Sequence, residues 1–218
     1  MKRIDKSEIL STNYKDWVES VKGKNHKYDS SNNSHYLDVR MSLFYCQKGL
    51  CAYIEEILCN EKLIKKEKWK DGKYIGLVNN EFTFGDVEHF DESIKPTKGW
   101  LWDNLFMVQG DINRRVKHTK PVKYILKPDS ENYDENKYLQ FDYETDTFSA
   151  HDSLNSEEKK EVTYMIKTLG LNLVVRRKLM IQDLKEKFEM GMDIEEPKEY
   201  ITAFKMTLEI LKEEKGKQ

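Results

Sequence analysis

Residues 84–118 read FGDVEHFDESIKPTKGWLWDNLFMVQGDINRRVKH, and the fold turns on how they are parsed. The segment predicts a short strand ending at His89, a loop holding Pro96 and Gly99, an aromatic segment from Trp100, and a helical turn opening near Asp111. The order is strand, loop, strand or turn, then helix. Adjacent side chains on a strand point to opposite faces, so Glu88 and His89 are poor partners for each other. Each can instead serve a different part of one bound group.

Upstream, NYKDWVESVK at 13–22 suits a short helix, and the polar run GKNHKYDSSNNS after it a turn-rich loop. A second helix is expected over HYLDVRMSLFYCQ, where Leu37, Met41 and Phe44 are spaced four and three apart, and Gly49 ends it. LCAYIEEIL at 50–58 reads as a strand or hairpin arm, and KYIGLVN at 73–79 as another extended piece. Downstream, residues 123–148 predict two extended pieces around an acidic turn. From about 155 the pattern becomes helical, with Asn155 and Glu158 marking a helix start. Leu173, Met180, Leu184 and Phe188 fall on one helical face. Ile201, Phe204, Leu208 and Leu211 fall on another, in a helix expected to open at Pro197. The sum is an α+β chain, mainly helical, forming one domain over 1–218, with a strand–strand–helix core at about 84–118 and a helical part at about 155–218.

With 218 residues the chain can bury a core of ordinary size, and 38% hydrophobic residues with 12 Tyr and 4 Trp exclude a disordered chain. The net charge of -2 argues against a strongly basic nucleic-acid domain, so any basic surface is local. NRRVKHTK supplies one: Arg114, Arg115 and Lys117 lie on the helix expected to carry Asn113, positioned to meet backbone phosphates. KLIKKEKWK reads as a solvated helix face or, alternatively, a local phosphate-contact surface. Cys46, Cys51 and Cys59 make an odd count, which points to reduced thiols. No apolar run approaches the ~18 residues of a membrane span, and MKRIDKSEIL lacks an apolar signal core, so a cytoplasmic protein is expected.

Glu88, His89, Asn104 and Asn113 can converge within the unit of residues 84–118. A carboxylate and an amide oxygen are hard ligands suited to one Mg²⁺ or Mn²⁺ ion, while a lone imidazole beside them serves as a base near neutral pH. That division of labour fits phosphodiester hydrolysis. The ion on Glu88 and Asn113 would neutralise charge on the scissile phosphate and His89 would deprotonate the attacking water, with Asn104 holding the ring of His89 or its backbone.

The string VEHF…WDNL…IN resembles the ββα-metal motif of HNH nucleases, in the variant whose second and third letters are asparagine. QKGLCAYIEEIL resembles the lead-in of such proteins. YILKPDSENYDENKYLQFD and MIKTLGLNLVVRRKLM resemble segments of the PtuB-like subfamily, found in Septu-type and retron-associated phage-defence operons. The likeness spans roughly residues 36–190. It implies an embedded HNH ββα-metal unit and a metal-dependent endonuclease acting on DNA, or alternatively RNA, as the effector of an anti-phage system beside an ATPase resembling PtuA. It further implies His89 as general base, Glu88 and Asn113 as metal ligands and Asn104 as the positioning residue. A stand-alone restriction-type nuclease and a catalytically inactive HNH-fold adaptor are the alternatives.

The chain departs from the pattern in two places. Members of this kind carry two Cys-x-x-Cys pairs holding a structural zinc. Here Ile54 takes the second ligand position after Cys51, and Gln109 and Ile112 take the later pair. One thiol makes no four-ligand site. No structural zinc is therefore expected, with apolar packing of Ile54 and Ile112 in its place. The usual lysine three residues beyond Asn113 is Val116, with Lys117 and His118 following; His118 is a candidate extra ligand or phosphate contact.

Overall fold

The computed structural model describes residues 1–76 and 84–217. The chain is α+β: helices accompanied, among the described residues, by three two-stranded antiparallel sheets. Where one domain is expected, contacts gather the chain into two compact units, Ile4–Ala52 with Glu56–Val122, and Met1–Arg3 with Tyr53–Glu55 and Lys123–Gln218.

In the first of these, α1 (Thr12–Ser20) starts at Ser11, whose hydroxyl accepts the amide of Tyr14 and donates to the carbonyl of Gly72 at 2.9 Å. The α2 helix (Tyr36–Cys46) buries Met41 and Phe44 but leaves Leu37 exposed, so only the later part of the expected stripe meets the core. Gly49, at φ 77, follows; a Cβ there would stand 2.5 Å from the carbonyl oxygen of Cys59, which explains the glycine. Residues 50–58, expected as a strand or hairpin arm, make a turn closed by an antiparallel bridge between Leu50 and Ile57. Strands β1 (Trp69–Lys70) and β2 (Lys73–Tyr74) pair next; residues 77–79 of the expected extended piece lie outside the described residues.

Strand β3 (Asp86–His89) pairs antiparallel with β4 (Leu105–Val108), Glu88 opposite Phe106 and His89 opposite Leu105. The connecting loop contains a short helix, α3 (Lys95–Lys98), with Pro96 in its first turn. All four side chains of β4 are buried, so its backbone must find partners on both edges. Gln47 supplies one set: its amide nitrogen donates to the carbonyl of Met107 at 2.9 Å and its oxygen accepts the N–H of Met107 at 2.8 Å. Lys6 is buried too, donating to the carbonyls of Trp102 and Leu105 beneath the ring of Phe106. Trp100 and Trp102 are core residues, as their size suggests. A π-helical turn, Ile112–Lys117, completes the strand–strand–helix order.

In the other unit, α4 (Glu135–Tyr138) leads into a hairpin of β5 (Leu139–Asp142) and β6 (Thr147–Ala150). Residues 124–126, expected to be extended, form a 3-10 turn. The α5 helix (Ser156–Thr168) opens with the expected capping box of Asn155 and Glu158. Next, α6 (Val175–Glu189) and α7 (Ile201–Gly216) bury Leu184, Phe204 and Leu211 together, with Met180, Phe188 and Leu208 against them. Burial of this kind is worth about 1.5–3 kcal/mol per large apolar side chain. Two expectations are corrected. Leu173 precedes α6 and is exposed. The last helix begins at Ile201, because Tyr200 adopts φ 56, a left-handed conformation that breaks the helix between Pro197 and Ile201.

Candidate active site

His89 closes β3 with its ring turned away from the side chain of Glu88, as strand alternation requires. The His89 Nε2 atom lies 2.8 Å from the carbonyl oxygen of Gly99. A carbonyl only accepts, so Nε2 carries the proton and donates, and in the neutral ring the lone pair resides on Nδ1. Gly99 is held close by the loop around Tyr28, where a Cβ would meet the Tyr28 backbone nitrogen at 2.4 Å. The Tyr28 ring stands edge-on to the imidazole with centroids 4.6 Å apart, and His89 is 1% exposed. Burial pushes its pKa down to about 4, so the ring is neutral around pH 7.

Glu88 faces elsewhere. Its carboxylate is paired with the ammonium of Lys117, and both side chains have no exposed surface. The same ammonium donates to the carbonyl of His89 at 2.8 Å. Lys117 is therefore corrected from a phosphate-contacting surface residue to a buried ion-pair partner. The helical turn that carries it closes with the N–H of His118 donating to the carbonyl of Asn113 at 2.9 Å, five residues back. This wide turn absorbs one extra residue, which accounts for the irregular spacing after Asn113.

Asn104 does not touch the ring of His89. Its Oδ1 accepts the N–H of Asp91 at 2.8 Å and its Nδ2 donates to the carbonyl of Asp91 at 3.0 Å, while its own carbonyl accepts the N–H of Phe90 at 2.8 Å. It pins the chain just beyond His89: where the ring of His89 or its backbone is the expected partner, the bonds go to the backbone of Phe90 and Asp91 instead. Asn113 is half-buried, its amide nitrogen 3.4 Å from Asp86 Oδ2. Arg114 donates to the same oxygen at 2.8 Å, and Arg115 pairs with Asp111 at 3.5 Å; both arginines are mainly exposed. His118 is exposed, at φ 46, with Nδ1 3.1 Å from the hydroxyl of Thr119. An open cleft of about 390 Å³ is lined by Asp91, Glu92, Ser93, Thr119, Lys120 and Pro121, beside the loop after β3.

Sequence reasoning missed Asp86, although its position two residues before Glu88 placed it on the same strand face. It also missed the bracketing role of Gln47, for which no local pattern gives a signal. Around the expected zinc positions, Cys51 Sγ accepts the N–H of Gln109 at 3.4 Å and Gln109 Oε1 accepts the N–H of Ile112 at 2.9 Å; Ile54 and Ile112 are each buried. Burial pushes the thiols of Cys46 and Cys59 up, to about 12 and about 11.

The oxygen donors of Glu88 and Asn113 are hard enough for Mg²⁺ or Mn²⁺, but their placement does not fit such an ion. The carboxylate of Glu88 already has a buried counter-charge, and an ion reaching it must expel Lys117. Among the described residues no group of three His, Cys, Asp or Glu side chains gathers as a metal site. None of the described helices is long and apolar enough to cross a membrane. Fold and site together define an α+β chain with a strand–strand–helix unit around a buried histidine. No family model matches the chain, and no curated protein does.

Proposed function

We propose that the chain is an HNH-type phosphodiester hydrolase, an endonuclease cutting DNA or alternatively RNA, and the effector subunit of an anti-phage system acting with an ATPase. One observation carries the reading: Nε2 of His89 donates to Gly99, which leaves Nδ1 as the basic nitrogen of a ring kept neutral by burial. A general base must be unprotonated before it can act. In the step, Nδ1 takes a proton from water, the water oxygen bonds to phosphorus, the bond from phosphorus to the leaving oxygen breaks, and solvent protonates that oxygen. Asn104 serves by fixing the loop after His89, and Arg114 and Arg115 supply positive charge for the backbone phosphates. The divalent ion implied by the resemblance enters no step, because Glu88 as placed does not accept it.

The test is cleavage of plasmid, single-stranded DNA and tRNA by wild type and His89→Ala, with and without the product of the adjacent gene. Cleavage by wild type that disappears in the variant supports the reading, and equal behaviour in every arm overturns it. A second reading, an inactive adaptor that keeps the unit for its shape, is favoured by the cover Tyr28 places over His89. Under it, His89→Ala leaves partner binding and all activity of the assembly unchanged.

A further inference from the structure

We infer that the ammonium of Lys117 is the resident cation of this centre, standing on Glu88 where the resemblance places a divalent ion. Its first consequence, weak divalent binding, is independent of the proposed activity. Its second, that Lys117 positions His89, rests on the hydrolase reading.

Each of the two acids on β3 meets a basic residue. Asp86 and Glu88 share a strand face, and the following π turn brings a basic residue to each: Arg114 to Asp86 at 2.8 Å and Lys117 to Glu88. Neither acid is left with a charge for an ion to neutralise. The Lys117–Glu88 pair has no exposed surface on either side chain, and taking one partner from a buried pair strands the other charge. A surface ion pair exchanges readily with solvent ions; this one does not.

The ammonium also does what a metal would do for the backbone. By donating to the carbonyl of His89 while holding the carboxylate of Glu88, it clamps the consecutive residues 88 and 89 to the π turn. The imidazole is then fixed at both ends, through its own backbone and through Nε2 on Gly99. Lys117 is thus a positioning residue for the base. The wide turn closed between His118 and Asn113 is the backbone feature that delivers it.

The experiment titrates Mn²⁺ and Mg²⁺ into the full chain by calorimetry, comparing wild type, Glu88→Gln, Lys117→Met and the double variant. Wild type and Glu88→Gln are expected to bind equally weakly, through surface carboxylates only. Lys117→Met, which frees the Glu88 charge, is expected to gain a Mn²⁺ site that the double variant lacks. The double variant removes both charges, so a folded control remains if Lys117→Met fails to fold. Its nucleic-acid cleavage is then expected to fall relative to wild type with KM unchanged, through misplacement of His89. Tight Mn²⁺ binding by wild type that Glu88→Gln abolishes overturns the inference. In parallel, wild-type cleavage in excess chelator reads the metal requirement directly: persistence supports the inference, and complete loss restored by Mn²⁺ overturns it. If no preparation cleaves any substrate, the hydrolase reading fails while the binding comparison still decides whether Lys117 holds the cation position.

Discussion

Asn104 brackets Asp91: its side-chain oxygen takes the N–H of that residue at 2.8 Å and its side-chain nitrogen gives to the carbonyl of the same residue at 3.0 Å. Gln47 treats Met107 in the same way, and Asn172 treats Phe148 so, at 2.8 and 2.9 Å. In each case an amide side chain satisfies both polar groups of one residue. For Met107 and Phe148 it stands in for a neighbouring strand at the open edge of a two-stranded sheet, whereas Asp91 lies in the loop just after β3.

An aspartate at 104 keeps the acceptor but turns the donor into a second oxygen facing the Asp91 carbonyl. Asn104→Asp is therefore expected to cost about 1–3 kcal/mol, the range for a buried polar group left unsatisfied. Urea denaturation measures it. Because the bracket fixes the loop after His89, cleavage should fall further than the loss of folded protein explains. A variant as stable and as active as wild type contradicts this.

The lowered pKa of His89 makes a stability prediction with a definite sign. The unfolded ring titrates near 6.5 and the folded one at about 4, so between these values the unfolded chain binds more protons. The contribution is present above pH 6.5 and is lost as pH falls toward about 4, amounting to roughly 3 kcal/mol. Urea midpoints across that window should fall with acid in wild type, and less steeply in His89→Asn. On the hydrolase reading, cleavage should also hold its rate well below pH 6.5. A rate that halves near 6.5 would show a ring exposed to water.

Arg177 is a further buried charge with a structural task. It donates to Asp146 Oδ1 at 2.8 Å and to the carbonyls of Leu171 and Asp146, under the rings of Phe141 and Phe148. Asp146 turns the β5–β6 hairpin at φ 55. Arg177→Met strands that acid and two carbonyl acceptors, so a loss of about 3–5 kcal/mol is expected. Arg177→Lys should rescue little, since an ammonium cannot reproduce the planar fork. Thermal denaturation of both variants checks the order.

These contacts mark where the sequence was legible and where it was not. The run from Asp86 to Lys117 announced a strand, a loop, a strand or turn, and a helix, because Pro96, Gly99 and the aromatic segment from Trp100 are local signals. The capping box at Asn155 was equally local. The chemistry of single residues was not. Lys117 and Arg115 are neighbours in one basic run, yet one is sealed against Glu88 and the other lies in solvent. Only the π turn, which no periodicity predicts, separates them. Asn104, expected to hold the ring of His89 or its backbone, holds Asp91 instead, because a bracket thirteen residues distant depends on loop path and not on spacing. Pro197 signalled a helix start that the left-handed Tyr200 delays by four residues, to Ile201.

The two exposed arginines of the π turn separate by what they already hold. Arg114 is tied to Asp86 at 2.8 Å, whereas Arg115 makes a longer pair, 3.5 Å, with the largely exposed Asp111. A surface pair of that kind is worth little, so Arg115 can turn to a phosphate at small cost. On the hydrolase reading, Arg115→Ala should leave stability within about 0.5 kcal/mol of wild type. It should weaken nucleic-acid binding uniformly across sequences, and reduce the slope of log affinity against log salt by about 1. Arg114→Ala should behave differently, because it also releases the charge of Asp86 beside Asn113. Binding should drop more than one phosphate contact explains, and Asp86→Asn added to it should restore part of the loss. Fluorescence anisotropy of a labelled duplex over a salt series distinguishes the two. Equal slopes for wild type and Arg115→Ala would place the phosphates on another face of the chain.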